Sequence, residues 1–146
     1  MREIKFRVFD NHTKTMHVCG EDSHDSIVFF DNQACYYNLQ NGEGSLKDDE
    51  GDSTYELMQY TGLKDKNGTE IYEGDITTSE LHEEEGLAFE VYYDNEKGMF
   101  KQRPFMFKDN GKKLGNKDLT LQMDLVENKE VIGNIYENPE LLEVGA

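Results

Sequence analysis

Along much of this chain apolar and polar residues alternate with a period of two, and clusters of turn-forming residues interrupt the alternation at uneven intervals. Residues 2–9 set Ile4, Phe6 and Val8 against Glu3, Lys5 and Arg7, which predicts a half-buried strand whose alternation Phe9 breaks. Residues 10–14 are polar and predict a turn, with 15–18 returning as the second strand of a hairpin. The pattern weakens over residues 20–53. There, 27–30 predict a short buried strand and 35–39 another, while 41–45 and 47–52 are polar, Gly-containing loops. From Tyr55 the alternation tightens: 57–60 predict a strand leading into turns at Gly62 and at Asn67-Gly68, a pair suited to positive φ at both turn centres. Residues 71–81 predict a strand bent at Gly74-Asp75, and 82–86 an acidic loop. Residues 87–93 follow as a strand with Phe89, Val91 and Tyr93 on one face, then a turn at 94–98 and a strand from Met99.

The remainder continues in kind. Residues 108–118 form a polar loop, the one locally basic stretch of any length. Residues 119–126 predict a strand with Leu119, Leu121, Met123 and Leu125 inward. A turn at 127–130 leads to a last strand at 131–136, and Pro139 opens a short helical turn from which Leu141 and Leu142 can pack back. No long amphipathic helix and no solenoid repeat is present. These elements predict a mainly β (β-rich α+β) fold: a small Src-homology-3-like barrel with an N-terminal β-hairpin extension and a short C-terminal helical turn. One domain over 1–146 is expected from the length of 146 residues, with a sub-division at 1–53 and 54–146 open because the polar loops fall there.

Three blocks carry a resemblance beyond the pattern: residues 1–10 (MREIKFRVFD), 59–76 (QYTGLKDKNGTEIYEGDI) and 131–142 (VIGNIYENPELL). In this order they resemble the YopX family, small proteins encoded by bacteriophages and prophages of low-GC Gram-positive bacteria. The likeness covers the beginning, middle and end of the chain but not residues 17–53 or 101–127. It implies a lineage and a β-rich fold, and no reaction.

Charge narrows the classes of partner. Acids outnumber bases 31 to 15, for a net charge of −16. Binding to DNA or RNA by counterion release needs clustered Lys and Arg, so direct nucleic-acid binding is not expected; basic partners, divalent cations or plain solubility fit the sign. No run approaches the roughly 20 apolar residues of a membrane span, and the start lacks an apolar signal core, so no membrane association and a cytoplasmic location in the bacterial host are expected. Cys19 and Cys35 stand outside any Cys-x-x-Cys arrangement and are expected to be reduced, small hydrophobic residues.

Candidate chemistry is sparse. His12, His17, Cys19 and His24 fall close together and offer zinc-type ligands, yet their spacing fits no common zinc signature; exposed turn histidines and a core thiol are the plainer account. Glu80, His82, Glu83, Glu84 and Glu85 are the densest acidic run, and Asp48, Asp49, Glu50 and Asp52 a second; neither has the alternation of a calcium loop. Asp65 and Asp75 flank the Asn-Gly turn, where backbone amides compete with any acid–base role. No phosphate-binding Gly loop preceding a helix and no Gly-x-Ser-x-Gly element occurs, and no cofactor is predicted.

The reading that follows is a non-enzymatic, phage-encoded binding module that contacts a basic protein through acidic loops at Glu80, Glu83, Glu84 and Glu85 and at Asp48, Asp49 and Glu50. Three alternatives stand beside it. One is an acidic DNA mimic that inhibits a host nucleic-acid-binding or defence protein. Another is a metal-binding factor or enzyme built on His12, His17, Cys19 and His24. The last is a self-assembling homo-oligomer joined by β-edges.

Overall fold

A computed structural model describes residues 2–108, 118–121 and 126–143, with Leu119 and Thr120 described by their backbone. The chain is mainly β, and its contacts divide it into two compact units, Glu3–Gln59 and Tyr60–Ala146.

In the first unit β1 (Phe6–Asp10) and β2 (Thr15–Val18) form the expected N-terminal hairpin, and the other side of β1 pairs antiparallel with the start of β5 (Tyr55–Lys64). Strands β3 (Asp25–Phe30) and β4 (Gln33–Asn38) form a separate two-stranded hairpin. Val8, Tyr36 and Tyr55 make the core, with Cys19, Ile27 and Leu57 packed against it. Two expectations change here. Ile4 was expected inward, but β1 begins only at Phe6 and Ile4 is exposed. Val8 and Phe9 are both buried, because β1 is covered on both faces at its end.

In the second unit the rest of β5 pairs with β6 (Glu70–Tyr72), and β7 (Asp75–Thr78), β8 (Leu87–Asp94), β9 (Met99–Met106), β10 (Leu119–Thr120) and β11 (Glu130–Asn134) form a curled half-barrel sheet in the order β10-β9-β8-β7-β11. Ile71, Val91 and Val126 pack with Val131 in one cluster, and Ile76, Ala88 and Phe107 with Ile132, Ile135 and Leu141 in another. Central strand β7, flanked by β8 and β11, has all four residues buried. A 3-10 turn (Pro139–Leu142) ends the described chain; Leu141 packs back as expected, whereas Leu142 is exposed.

Several local expectations are corrected. Gly62 is no turn: β5 runs through it with φ +87°, and a register shift between Tyr60 and Lys64 absorbs it as a bulge. Thr61 Oγ1 bridges that bulge, donating to the Ile71 carbonyl (2.7 Å) and accepting from the Leu63 N–H (3.2 Å). At Asn67-Gly68 only the glycine takes positive φ (+82°), because Asp65 organises the loop from outside the pair. The strand expected over 71–81 ends at Thr78, where the Ser79 side chain accepts the His82 N–H and starts a short helix α1 (Glu80–Glu84) in place of the acidic loop. Of the strand expected over 119–126, Leu119–Thr120 form β10 and Leu121 does not continue it; residues 122–125, and residues 109–117 of the polar loop, lie outside the described residues.

Candidate functional site

The β3–β4 hairpin is the part of the first unit whose surface departs most from the expected pattern. Its two loop residues, Asp31 (φ 49°) and Asn32 (φ 64°), both occupy the left-handed region that a tight two-residue turn of this hand requires. Asp and Asn tolerate that region better than other residues with a Cβ. The turn sets the register from Phe30↔Gln33 to Asp25↔Asn38.

The base of the hairpin is anchored by a buried carboxylate. The Tyr36 hydroxyl donates to Asp25 Oδ1 (2.6 Å), His17 Nε2 lies 2.9 Å from the same oxygen, and the N–H groups of Gly20 (2.8 Å) and Asp22 (3.2 Å) donate to Oδ2. Asn38 Nδ2 donates to the Tyr36 oxygen (3.2 Å), and the Tyr36 ring meets Tyr55 edge-on at 4.8 Å between centroids. Burial alone would raise the Asp25 carboxyl, but the hydrogen bonds from Tyr36, His17, Gly20 and Asp22 outweigh it and hold the group below its ordinary value. Burial and the bond to Asp25 push the Tyr36 hydroxyl up, so it stays protonated and donates.

Beyond this anchor the apolar run leaves the core. Residues 27–30 were expected to be buried, yet only Ile27 packs inward; Val28 is 45 %, Phe29 81 % and Phe30 57 % exposed. The reason is tertiary. The sheet has two strands, and its far end reaches past Val8, Tyr36 and Tyr55. Apolar side chains exposed on both faces of a two-stranded tip, Phe29 on one and Val28 with Phe30 on the other, are the kind of surface that marks an interaction site in soluble proteins.

The residues singled out from sequence are dispersed. His12 is exposed in the turn after β1, and its N–H donates to Asp10 Oδ1 (2.8 Å). His17 is engaged by Asp25, and His24 Nδ1 by Asp22 Oδ1 (3.0 Å). Cys19 is half-buried, and burial together with the Asp25 charge pushes its thiol up to about 12, so it is a neutral thiol and no nucleophile at neutral pH. Among the described residues no three His, Cys, Asp or Glu side chains are placed to hold a metal ion. Asp48, Asp49 and Glu50 are exposed in a loop whose Asp48 Oδ1 accepts the N–H groups of Glu50 and Asp52 (2.9 Å each). Glu80, Glu83, Glu84 and Glu85 are exposed on and beside α1, Glu83 pairing with Lys108 at 3.2 Å.

Asp65 and Asp75 act on the backbone. Asp65 Oδ1 accepts from Asn67 N–H (2.8 Å) and Thr69 N–H (2.9 Å), its Oδ2 from Val131 N–H (2.9 Å), and Asp75 Oδ2 from Tyr72 N–H (2.8 Å). Sequence reading missed one unusual group, Lys129. Its Nζ donates to Gln102 Oε1 (2.6 Å) and sits 3.4 Å above the Phe89 ring, and burial pushes the amine down to about 8. Nothing in its surroundings in the sequence signals this, since Lys129 stands among the polar residues of a predicted turn.

These features define a small, mainly β domain with an anchored, apolar-tipped hairpin. Comparison with known proteins gives the lineage: the family model described as "YopX protein" matches residues 5–143, and the chain belongs to that family. It is similar to the crystal structure of protein EF1440 from Enterococcus faecalis, with 26% sequence identity, 97% of this chain and 99% of that chain covered, and a TM-score of 0.55. It is also similar to protein yopX from Bacillus subtilis, with 25% identity, 94% of this chain and 97% of that chain covered, and a TM-score of 0.52. A comparison with curated proteins finds no match. Among the described residues no helix is long and apolar enough to cross a membrane.

Proposed function

We propose that this protein is a non-enzymatic binding module, encoded by a phage or prophage and acting in the bacterial cytoplasm by contact with a basic host or phage protein. The observation that carries the reading is the exposed tip of the β3–β4 hairpin, Val28, Phe29 and Phe30, on a domain of net charge −16. At 150–250 Å² per aromatic side chain, the two rings leave roughly 300 Å² of apolar surface to be covered, a substantial part of the ~800 Å² each partner buries in a standard interface. The carboxylates at Asp48, Asp49 and Glu50 and at Glu80, Glu83, Glu84 and Glu85 then supply long-range attraction, and the hairpin supplies the contact.

The test is a pull-down with the tagged protein from a Bacillus subtilis lysate at low and moderate salt. A basic protein is retained, and the double variant Phe29→Ser/Phe30→Ser loses it at both salt levels. Loss instead with Glu80→Gln/Glu83→Gln/Glu84→Gln/Glu85→Gln, and only there, moves the contact to α1 and makes a salt-sensitive, DNA-like acidic surface the better account. Retention of no basic protein at either salt level overturns the reading.

A further inference from the structure

The outer edge of β3 says how such a partner is held, an inference that rests on the binding reading above. In a hairpin closed by a two-residue loop the residues flanking the loop exchange both backbone bonds, and hydrogen-bonded pairs alternate from there. Phe30↔Gln33, Val28↔Cys35 and Ser26↔Tyr37 are therefore the bonded pairs. Ile27 and Phe29 turn their N–H and C=O groups away from β4. The surrounding bonds agree with this register. Leu39 N–H donates inward to the His24 carbonyl (2.8 Å), while Asn38 N–H points outward to the Glu43 carbonyl (2.8 Å) and Tyr36 N–H outward to Ser45 Oγ (2.9 Å).

The two edges of the hairpin thus differ. The outer edge of β4 is closed at Tyr36 and Asn38 by the chain's own residues 43–45, where Ser45 N–H also donates to the Tyr36 carbonyl (3.0 Å). Among the described residues no strand pairs with the outer edge of β3, and the backbone groups of Ile27 and Phe29 have no partner there. Natural sheets blunt such edges with Pro, Lys, a bulge or a covering segment. β3 has none of these in its sequence Asp25–Phe30 (DSIVFF), and its pairing is regular throughout. Beside it lies a shallow pocket of about 380 Å³ lined by Ile4, Lys5, Phe6, Cys19, Asp25 and Ile27, among other residues. Ile4, 61 % exposed, gives that pocket an apolar wall facing solvent, and Lys5 in the same wall is paired with Glu3 at 2.9 Å.

Charge selects the occupant. From Gly20 to Leu46 the chain carries Glu21, Asp22, Asp25, Asp31 and Glu43 and no Lys or Arg. Glu21 and Asp22 precede β3 and Asp31 follows it, so carboxylates bracket the apolar run at both ends. A second copy paired antiparallel would bring the Asp31 end of one chain against the Asp22 and Asp25 end of the other, and like charges across paired strands are unfavourable. We infer that the free edge of β3 accepts, by β-strand addition, an extended segment of a basic protein whose apolar centre is flanked on both sides by Lys or Arg. The partner's main chain bonds to Ile27 and Phe29, its apolar side chains cover Val28, Phe29 and Phe30, and its bases meet the carboxylates at the two ends.

The probe is a synthetic, end-blocked peptide of about eight residues, valines flanked by lysines at each end, a length matched to the edge. Amide hydrogen exchange followed by NMR reads the mode. Adding the peptide slows exchange of the Ile27 and Phe29 amides at least tenfold and leaves Val28 and Phe30, already bonded across the hairpin, within twofold. The same peptide N-methylated at every residue of its valine core, so that neither edge offers donors there, does not bind. Equal binding of the methylated peptide, or binding without protection of Ile27 and Phe29, overturns strand addition and leaves the partner-binding reading intact. So does failure of the peptide to bind while a lysate partner is still lost with Phe29→Ser/Phe30→Ser. A dimer in solution with Ile27 and Phe29 already protected overturns the basic-partner assignment in favour of a second copy. Indifference of the retained partner to Phe29→Ser/Phe30→Ser overturns both strand addition and the hairpin tip as the contact.

Discussion

Replacing Asp25 by Ala removes the acceptor on which the β3–β4 hairpin is hung. The carboxylate side chain is 3 % exposed and takes four hydrogen bonds, from the Tyr36 hydroxyl, His17 and the N–H groups of Gly20 and Asp22. Water can replace it at exposed Gly20 and at half-buried His17, but not at the Tyr36 hydroxyl, whose residue is 1 % exposed. A buried donor left without an acceptor costs about 1–3 kcal/mol, and the lost charge-assisted bonds add to it, giving a destabilisation of about 2–4 kcal/mol. With a urea slope of ~1–3 kcal/mol/M this lowers the unfolding midpoint by about 1–2 M. The chain has 8 Tyr and no Trp, so near-ultraviolet circular dichroism of tyrosine reports the transition. Tyr36→Phe alone is expected to cost about 1 kcal/mol, and the double variant less than the sum, because both remove one bond. The acid limb supplies a second reading. A carboxyl lowered on folding adds stability that is present above its unfolded value of ~3.9 and is lost as pH falls through the folded value. Wild type therefore loses more stability than Asp25→Asn as the pH drops from about 5 to 2. A loss below about 0.5 kcal/mol in Asp25→Ala, with additive single and double variants, would refute the idea that this network anchors the hairpin.

Three further outcomes follow from the geometry. Lys129→Met removes the cost of burying the amine together with its 2.6 Å bond to the buried Gln102 Oε1, so the two effects offset and stability at pH 7 changes by no more than about 1 kcal/mol. Because the Lys129 amine is pushed down to about 8 on folding, wild type gains stability as pH rises from there toward the unfolded value of ~10.4; the variant lacks this gain, and thermal melts at pH 7 and 10 check both points. Gly44→Ala would drive a Cβ into the Tyr36 carbonyl oxygen, so the bond closing the β4 edge must open. A loss of about 1–3 kcal/mol and faster exchange of the Ser45 amide are expected, and unchanged exchange would contradict the packing. Phe29→Ser/Phe30→Ser changes stability by no more than about 0.5 kcal/mol in urea unfolding, since both rings are exposed; a larger loss would mean that the tip is structural.

Much of the strand order was legible in the sequence because period-two alternation and turn chemistry are local. The β1–β2 hairpin, the Gly74-Asp75 bend, strand β8 and the turn after it, strand β11 and the Pro139 turn all depend on neighbours within a few residues. The backbone role of Asp65 and Asp75 was legible for the same reason, since a short carboxylate beside a turn finds amides close by. Helix α1 was not read from the sequence, because the apolar and polar spacing of 71–81 continues the strand pattern past Ser79, whose side chain in fact caps the helix.

Exposure is another matter, because it depends on which elements lie opposite. The run Ile27-Val28-Phe29-Phe30 has the composition of a buried strand, and only the two-stranded sheet and the reach of its tip past the core place Phe29 and Phe30 in solvent. Lys129 reads as a surface turn residue, and only the approach of Phe89 and Gln102 from β8 and β9 buries its amine. The free edge of β3 is likewise invisible to pattern, since a strand carries the same alternation whether one or both of its edges are paired. By itself the sequence determined the lineage, the mainly β class and most of the turns, through interactions that span a few residues. Tertiary structure decided which apolar residues stay exposed, which polar groups are buried and which edge remains open, because these are set by residues far apart in the chain.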